Sequence, residues 1–500
     1  MNIKTSIGLG CMLALVAACG GKEPETPATH AGPSAPSTPV VTQAAIDKFN
    51  AALDTFNAHD RAADWADAAC ADVAAQFQAA AAAQPGGKLA AASYDAGLSY
   101  QRCGNDKEAK ARFQQALALD SNDTYSRAEL ALYQYKADSN DDAAIATLQQ
   151  IVLDAKFQNV PALTSLAMFQ MQRDSATAGA QCKDDMDCAK QNLQRALAID
   201  DGYMPAFNEL ALLYFQLAKK RAGSVKLKGG RTLATNASIA KRADVQQLEL
   251  AGLVCSQAIR KNPSYAPIHN TAGLIQNELG QINGAVGEFK EAAKLDPRFF
   301  EAQMNYAFVN LSFRGFEQAQ GAFQKALQMR PNDYDAHLGL ALALRGLITD
   351  VNYETQVTAV QAELDTCKKL DATRADAYYN EGILTMEYKA KAGGDKNATI
   401  KSLTDAKGIF QQFVDKASGK PEYDGAVKRS KERMQDIDDT VAFLNLPGGP
   451  STPPPAAPAP GAAAPPADPA AAAPPAAAPP AAPGPGAAPA PPAPAPASAQ

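Results

Sequence analysis

Two consecutive stretches of this chain, residues 264–297 and 298–331, constrain its fold more than anything else in the sequence. They read SYAPIHNTAGLIQNELGQINGAVGEFKEAAKLDP and RFFEAQMNYAFVNLSFRGFEQAQGAFQKALQMRP. Ala285 and Ala319, Phe289 and Phe323, Ala292 and Ala326, and Pro297 and Pro331 each stand 34 positions apart. Small, aromatic and small residues spaced four and three apart share one helical face, and the Pro ends that helix. A unit of this length cannot bury its apolar face alone, so copies must stack.

The same register runs along the chain. Gly97, Tyr100, Gly104, Ala109, Phe113 and Ala116 mark a unit over residues 90–121, and Leu130, Ala131, Ala144, Leu148 and Ile151 mark the next. Leu163, Leu166, Ala189, Leu193 and Ala196 give a third, split by an insertion over 175–188. Phe207, Leu210, Ala211, Tyr214, Ala251, Cys255 and Ala258 give a fourth, split by a longer one over 219–242. After the quoted pair come a seventh unit (His337, Leu340, Leu364, Cys367) and an eighth (Tyr378, Gly382, Phe410, Phe413). Residues 43–89 read as a helical N-terminal cap, split near 59–61, and a last helix over 423–444 closes the stack. The repeat body is expected over 90–445.

Gly273, Gly280, Ala285, Phe289, Ala292 and Pro297 resemble the tetratricopeptide repeat, with His269 where that family usually has Trp. The resemblance implies an all-α, right-handed superhelical solenoid of about eight helical hairpins. In that family the ninth position of each first helix faces a concave groove. Here it holds Leu98, Leu132, Met168, Leu212, Leu274, Phe308, Leu342 and Ile383, with Phe215 and Leu311 three places beyond it in two units. Three outcomes follow. The apolar groove receives a partner's helix or extended peptide, or these side chains pack inside a tight superhelix, or the N-terminal cap fills the groove. The Lys and Asn set by which chaperone-binding members grip a C-terminal carboxylate is not matched, although Asn208 and Asn270 occupy one of its slots.

Both ends of the chain differ from this body. Residues 1–18 have Lys4, an apolar run over 7–18 and a small-residue end, which reads as a secretory signal. The run Leu15-Val16-Ala17-Ala18-Cys19 resembles a bacterial lipobox, which implies an acylated Cys19 as mature first residue. By the same analogy Gly20, rather than Asp, after the Cys points to the outer membrane, facing the periplasm. Residues 19–42 form a Pro-rich flexible tether, and 446–500 a Pro/Ala-rich tail expected to stay disordered. This plan is similar to outer-membrane repeat lipoproteins that help build secretin pores, insert barrel proteins or support surface motility, including the repeat lipoprotein of the myxobacterial gliding machinery. The resemblance implies a scaffold for envelope proteins.

Composition narrows the alternatives. Over 500 residues the net charge is −6, which disfavours nucleic acid as a partner. With one Trp and four His, and no Ser/His/Asp, Cys/His or phosphate-cradling constellation, no enzyme chemistry and no cofactor are expected. Lys219, Lys220, Arg221, Lys226, Lys228 and Arg231 make the fourth-unit insertion basic. It reads either as a solvated loop or as a grip on an anionic partner, and cell-wall polymer such as peptidoglycan is the alternative partner class. Eight Cys, less Cys11 and Cys19, leave six. Cys182 and Cys188 are expected to close a small disulfide loop, and Cys70 with Cys103 is a second candidate. Cys255 and Cys367 fall on core slots and are expected to be free. Asp184, Asp185 and Asp187 read as an exposed acidic loop. No metal site is expected, since two thiols without a nearby His do not complete a shell.

Overall fold

The computed structural model describes residues 41–62, 64–176, 182–224, 234–391 and 395–446, and the side chains of 221–224 and 234–244 lie outside the description. Its described residues contain nineteen α-helices and no strand. Helices α1 (Gln43–Ala62) and α2 (Asp67–Ala83) form a leading pair. Eight hairpins follow. They are α3 (Ala90–Arg102) with α4 (Asp106–Leu119), α5 (Thr124–Asp138) with α6 (Asp141–Asp154), α7 (Val160–Arg173) with α8 (Asp185–Ile199), and α9 (Met204–Ser224) with α10 (Ala234–Lys261). Next come α11 (Ala266–Glu278) with α12 (Ile282–Leu295), α13 (Phe300–Ser312) with α14 (Phe316–Met329), α15 (Tyr334–Gly346) with α16 (Tyr353–Leu370), and α17 (Asp376–Leu384) with α18 (Lys396–Ala417). A single α19 (Asp424–Leu444) ends the series. Each helix packs on the next, so this is the expected stack of hairpins.

The helices start and stop where local chemistry directs. Side chains of Asn105, Asp123, Asn140, Asn159, Asp333 and Asp395 accept hydrogen bonds from the first free N–H groups of α4, α5, α6, α7, α15 and α18. Gly104 and Gly280 turn the chain with φ of 70° and 73°, values a side chain would strain. Where no insertion intervenes the period is kept: α11, α13 and α15 begin at Ala266, Phe300 and Tyr334.

The apolar pattern sets the packing. Ala109, Phe113 and Ala116, then Ala285, Phe289 and Ala292, then Ala319, Phe323 and Ala326 are all buried. In three hairpins a glycine on the first helix makes room for the ring. A Cβ on Gly97 would stand 2.6 Å from Phe113, one on Gly273 2.6 Å from Phe289, and one on Gly382 2.7 Å from Phe410. In the sixth hairpin Phe323 meets Phe308 of its own first helix and also fills the space above Gly339, in the following hairpin.

Three details differ from the sequence reading. The insertion expected over 219–242 is helical at both ends, because α9 runs to Ser224 and α10 starts at Ala234. That stretch is rich in Ala, Lys and Arg, good helix formers, so both helices extend past the core. The insertion in the third hairpin ends earlier than expected, with Cys188 inside α8. Asp185 is fully buried rather than exposed. Arg173 holds it through Nε at 2.8 Å and the Ser175 backbone N–H donates to it at 2.8 Å, which compensates its burial.

Candidate partner-binding face

First helices of successive hairpins adjoin from α5 to α17, so their side chains form a continuous row. The ten apolar residues singled out in the sequence belong to these helices, but the structure packs them between neighbours. Leu98, Leu132, Leu212, Phe215, Leu311, Leu342 and Ile383 are buried, and Met168, Leu274 and Phe308 are half-buried. Leu132 and Leu212 enter one core cluster, Phe215 packs with Phe207 and Ile275, and Phe308 meets Phe323 edge-on at 5.1 Å. Seven of the ten are therefore enclosed by the stack itself. Enclosing each is worth about 2 kcal/mol, which opposes leaving them open.

The row carries polar groups instead. Thr271 on α11 donates to Asn208 on α9 at 2.7 Å, Asn305 on α13 donates to Asn270 on α11 at 2.9 Å, and Arg345 on α15 donates to Asn380 on α17 at 2.9 Å. Gln101 on α3 likewise donates to Glu129 on α5 at 2.8 Å. These stitches join one first helix to the next. One hint of them was visible in the sequence, the slot shared by Asn208 and Asn270. Their donors Thr271 and Asn305 differ in residue type, so the pairing across units was not legible.

Buried carboxyls gather toward the N-terminal end. Burial pushes both Glu129 and Glu209 up to about 7, against hydrogen bonds from Gln101 and Asn208 that lower them. Burial, with Asp123 nearby, also raises Asp95. Tyr94 Oη, Asp95 Oδ2 and Glu209 Oε2 are enclosed without a hydrogen-bond partner.

Two histidines occupy the slot where the repeat pattern usually has Trp, and both make the same pair of bonds. His269 Nδ1 is 2.7 Å from Glu288 and its Nε2 2.9 Å from the Pro263 carbonyl. His337 Nδ1 is 2.6 Å from Glu363 and its Nε2 2.9 Å from the Pro331 carbonyl. Each ring thus wedges between its own hairpin and the Pro that closes the previous one. The sequence showed the shared slot but not the partners.

Of the basic insertion, Lys219 lies over the Phe215 ring at 5.3 Å and Lys220 binds Asp174 at 2.7 Å. The Arg221 side chain and Lys226, Lys228 and Arg231 lie outside the described residues, as does Cys19. Disulfides join Cys70 to Cys103, tying α2 to the end of α3, and Cys182 to Cys188. Cys255 and Cys367 are buried free thiols, and burial pushes Cys367 up to about 12. Asp184 caps α8 and Asp187 accepts from Lys183 and Gln191, so the acidic loop serves itself. Among the described residues no group of three or more His, Cys, Asp or Glu is placed to hold a metal ion, and no helix is long and apolar enough to cross a membrane.

No protein-family model matches the chain. One curated protein, small glutamine-rich tetratricopeptide repeat-containing protein 2 of Mycosarcoma maydis, is 27% identical over 85 residues. That match spans 17% of this chain and 24% of the relative's own length. The chain's hairpins are similar to tetratricopeptide repeats in their 34-residue period. Solved structures with similar helices include TTC0263, a thermophilic TPR protein of Thermus thermophilus, at 25% identity over 43% of this chain and 95% of that one, with a TM-score of 0.34. A tetratricopeptide repeat protein from Parabacteroides merdae ATCC 43184 covers 63% of this chain and 99% of its own, at 13% identity and a TM-score of 0.34. YrrB, described as a TPR protein with an unusual peptide-binding site, covers 48% and 97%, at 15% identity and a TM-score of 0.32. The assignment of the hairpin type rests on the 34-residue period and on the Gly-to-Phe packing within the chain itself.

Proposed function

We propose that this chain is a lipid-anchored protein–protein interaction scaffold of the bacterial cell envelope. It docks components of an outer-membrane or periplasmic machine along the row of first helices. The carrying observation is the row itself: the seven first helices from α5 to α17 lie side by side in turn. Such a surface suits an extended segment or helix of another protein. The two disulfides support an oxidising compartment, and the Leu15–Cys19 pattern supports acylation at Cys19 and an outer-membrane address. The narrower assignment is a part of a surface-gliding apparatus. It rests on the lipoprotein-plus-repeat plan alone.

Crosslinking in intact cells from photoreactive residues placed along α9, α11 and α13, followed by mass spectrometry, tests the scaffold. Envelope proteins should be captured. A crosslinked set no different from that of a secreted control protein would sink the reading. Cys19→Ser tests the anchor, since it should release the protein from the membrane fraction. Binding to purified wall sacculi that salt abolishes would favour the polymer-binding alternative instead.

A further inference from the structure

The end of α3 is a meeting point for elements far apart in the chain. Arg102, its last residue, holds Asp60 of α1 through Nε at 2.8 Å and through Nη2 at 3.1 Å, and its guanidinium lies 5.1 Å from the centre of the Phe56 ring. Its carbonyl accepts from Arg298, in the turn before α13, at 2.9 Å. Its charge also acts on Glu129 of α5, on Tyr203 just ahead of α9 and on Tyr265 just ahead of α11. Tyr94 of α3 and Tyr203 likewise feel each other. Repeats in an open stack touch only their neighbours. Here residues 60 to 298 gather about one point, so the run from α1 to α13 coils tightly enough to close on itself. Tyr94, Tyr203 and Tyr265 are buried along that closure.

The inner wall of the coil, built by α3, α5, α9 and α11, carries carboxyls whose nearby cations are already engaged. Glu129 accepts from Gln101 at 2.8 Å, and Glu209 Oε2, Asp95 Oδ2 and Tyr94 Oη have no hydrogen-bond partner. Arg102 is taken up by Asp60, and Lys136 of α5 by Asp106 at the start of α4, at 2.9 Å. The other titratable groups facing Glu129 are Tyr94 on α3, Tyr133 on α5 itself and Tyr203. Asp123, at the cap of α5, faces Asp95. Glu209 is faced by Asn208 on its own helix and by Tyr265. From α6, α7 and α10 the neighbouring side chains belong to apolar clusters, and the buried thiol of α10, Cys255, feels Glu288 instead. Enclosing a carboxylate in this way is costly, and enclosing its protonated form far less so. Burial accordingly pushes Glu129 and Glu209 up to about 7.

We propose that the coil from α1 to α13 is an acid-held clasp: loss of protons from Glu129 and Glu209 releases the end of α3 from the turn before α13 and uncovers an inner wall lined by Tyr94, Tyr203 and Tyr265. Protonated, each carboxyl sits in the closed coil at little cost. Ionised, it is stabilised by reaching water, which the closed coil denies it. The enclosed carboxyls titrate near 7 and freed ones near 4.5, so closure is strongest below pH 4.5 and weakens as pH rises through 7. Between pH 5.5 and 7.5 the opening constant should rise roughly 20-fold for each carboxyl and about 400-fold for the pair. The Arg298 bond acts on the same joint at both pH values, since a guanidinium and a carbonyl do not titrate there. The clasp concerns the chain's own conformation and stands whether or not the row of first helices receives a partner.

The test is hydrogen exchange of the whole chain at pH 5.5 and 7.5, corrected for the intrinsic pH dependence of amide exchange. Once its end is released, α3 is held by α2 and α4 alone, so its amides report the opening. Protection of α3 should fall at least twentyfold between the two pH values, while α15 and α16 keep theirs within twofold. The helix α11 is left out of the readout, because His269 there responds to pH through its own bonds. Glu129→Gln combined with Glu209→Gln keeps the shapes and removes the charges. In that variant α3 should hold its protection at pH 7.5 within threefold of its value at pH 5.5. Arg298→Ala should weaken α3 several-fold at both pH values and leave the pH dependence in place. Protection of α3 that does not change with pH in the parent overturns the clasp. So does a double variant that still loses protection at pH 7.5. Loss of protection in α15 and α16 in step with α3 also overturns it, because the carboxyls would then govern the stability of the whole body rather than one joint.

Discussion

At the scale of single residues, the titratable groups inside the stack predict how its stability follows pH. Glu129 and Glu209 stand at about 7 in the fold against about 4.5 in an unfolded chain. The fold therefore favours their neutral forms. Their contribution is complete below pH 4.5 and fades as pH climbs to 7. Glu129→Gln keeps the acceptor for Gln101 and removes that loss. It should raise stability at pH 8 by about 2 to 3 kcal/mol and leave pH 4.5 unchanged, as read by urea unfolding. For His269 burial lowers the pKa, but the Glu288 and Pro263 bonds outweigh it and the net shift is upward. Both of its partners accept hydrogen bonds, so the imidazolium satisfies both. Its contribution is full below the unfolded value near 6.5 and is lost as pH rises through the folded one. His269→Gln should thus cost about 1 kcal/mol more at pH 6 than at pH 8.5. None of this was legible in the sequence. The shared His slot was visible, but Glu288 lies on the second helix of the hairpin, and Glu129 and Glu209 carried no sign that their helices would bury them.

At the scale of elements, the sequence was far more informative. A period of 34, Ala-Phe-Ala spacing and closing Pro residues are local signals, so the hairpins were readable before the structure. The glycine slots were readable too, while the reason for them is geometric. Gly to Ala in a helix interior ordinarily stabilises by up to about 1 kcal/mol. Gly273→Ala should do the opposite here, by about 1 to 3 kcal/mol, because the new methyl would meet the Phe289 ring at 2.6 Å. Gly321→Ala, with open space around it, is the control and should not destabilise. The insertions were harder to read. Lys219–Ser224 and the start of α10 have good helix formers without an apolar stripe, and a sequence that only counts core positions takes such stretches for loops. The Cys70–Cys103 bridge closes a separation of 33 residues. Replacing both by Ser should lower stability by about 3 to 4 kcal/mol, measured by denaturant unfolding.

At the scale of the whole repeat body, one contact runs against the usual logic of stacks. Repeats ordinarily touch only their neighbours, so ends fray independently. Here Arg298, in the turn before α13, donates to the Arg102 carbonyl at the end of α3, 196 positions away, at 2.9 Å. Arg102 itself holds Asp60 of α1 at 2.8 Å. The N-terminal end is thereby tied to the middle. Arg298→Ala should speed hydrogen exchange in α3 several-fold while leaving α15 to α18 unaffected. Such a long-range tie could not be read from a pattern that repeats every 34 positions, because periodicity specifies neighbours and leaves distant units unassigned.

The amide and hydroxyl stitches between first helices have a further consequence. Asn208, Asn270 and Asn380 already have their bonds made before any visitor arrives. If the row receives a partner as proposed, the incoming chain would gain a contact with them only by taking one over from a neighbouring helix. Capture and release would then be coupled to small rearrangements of adjacent hairpins, and a segment seated at one step would alter what the next step offers.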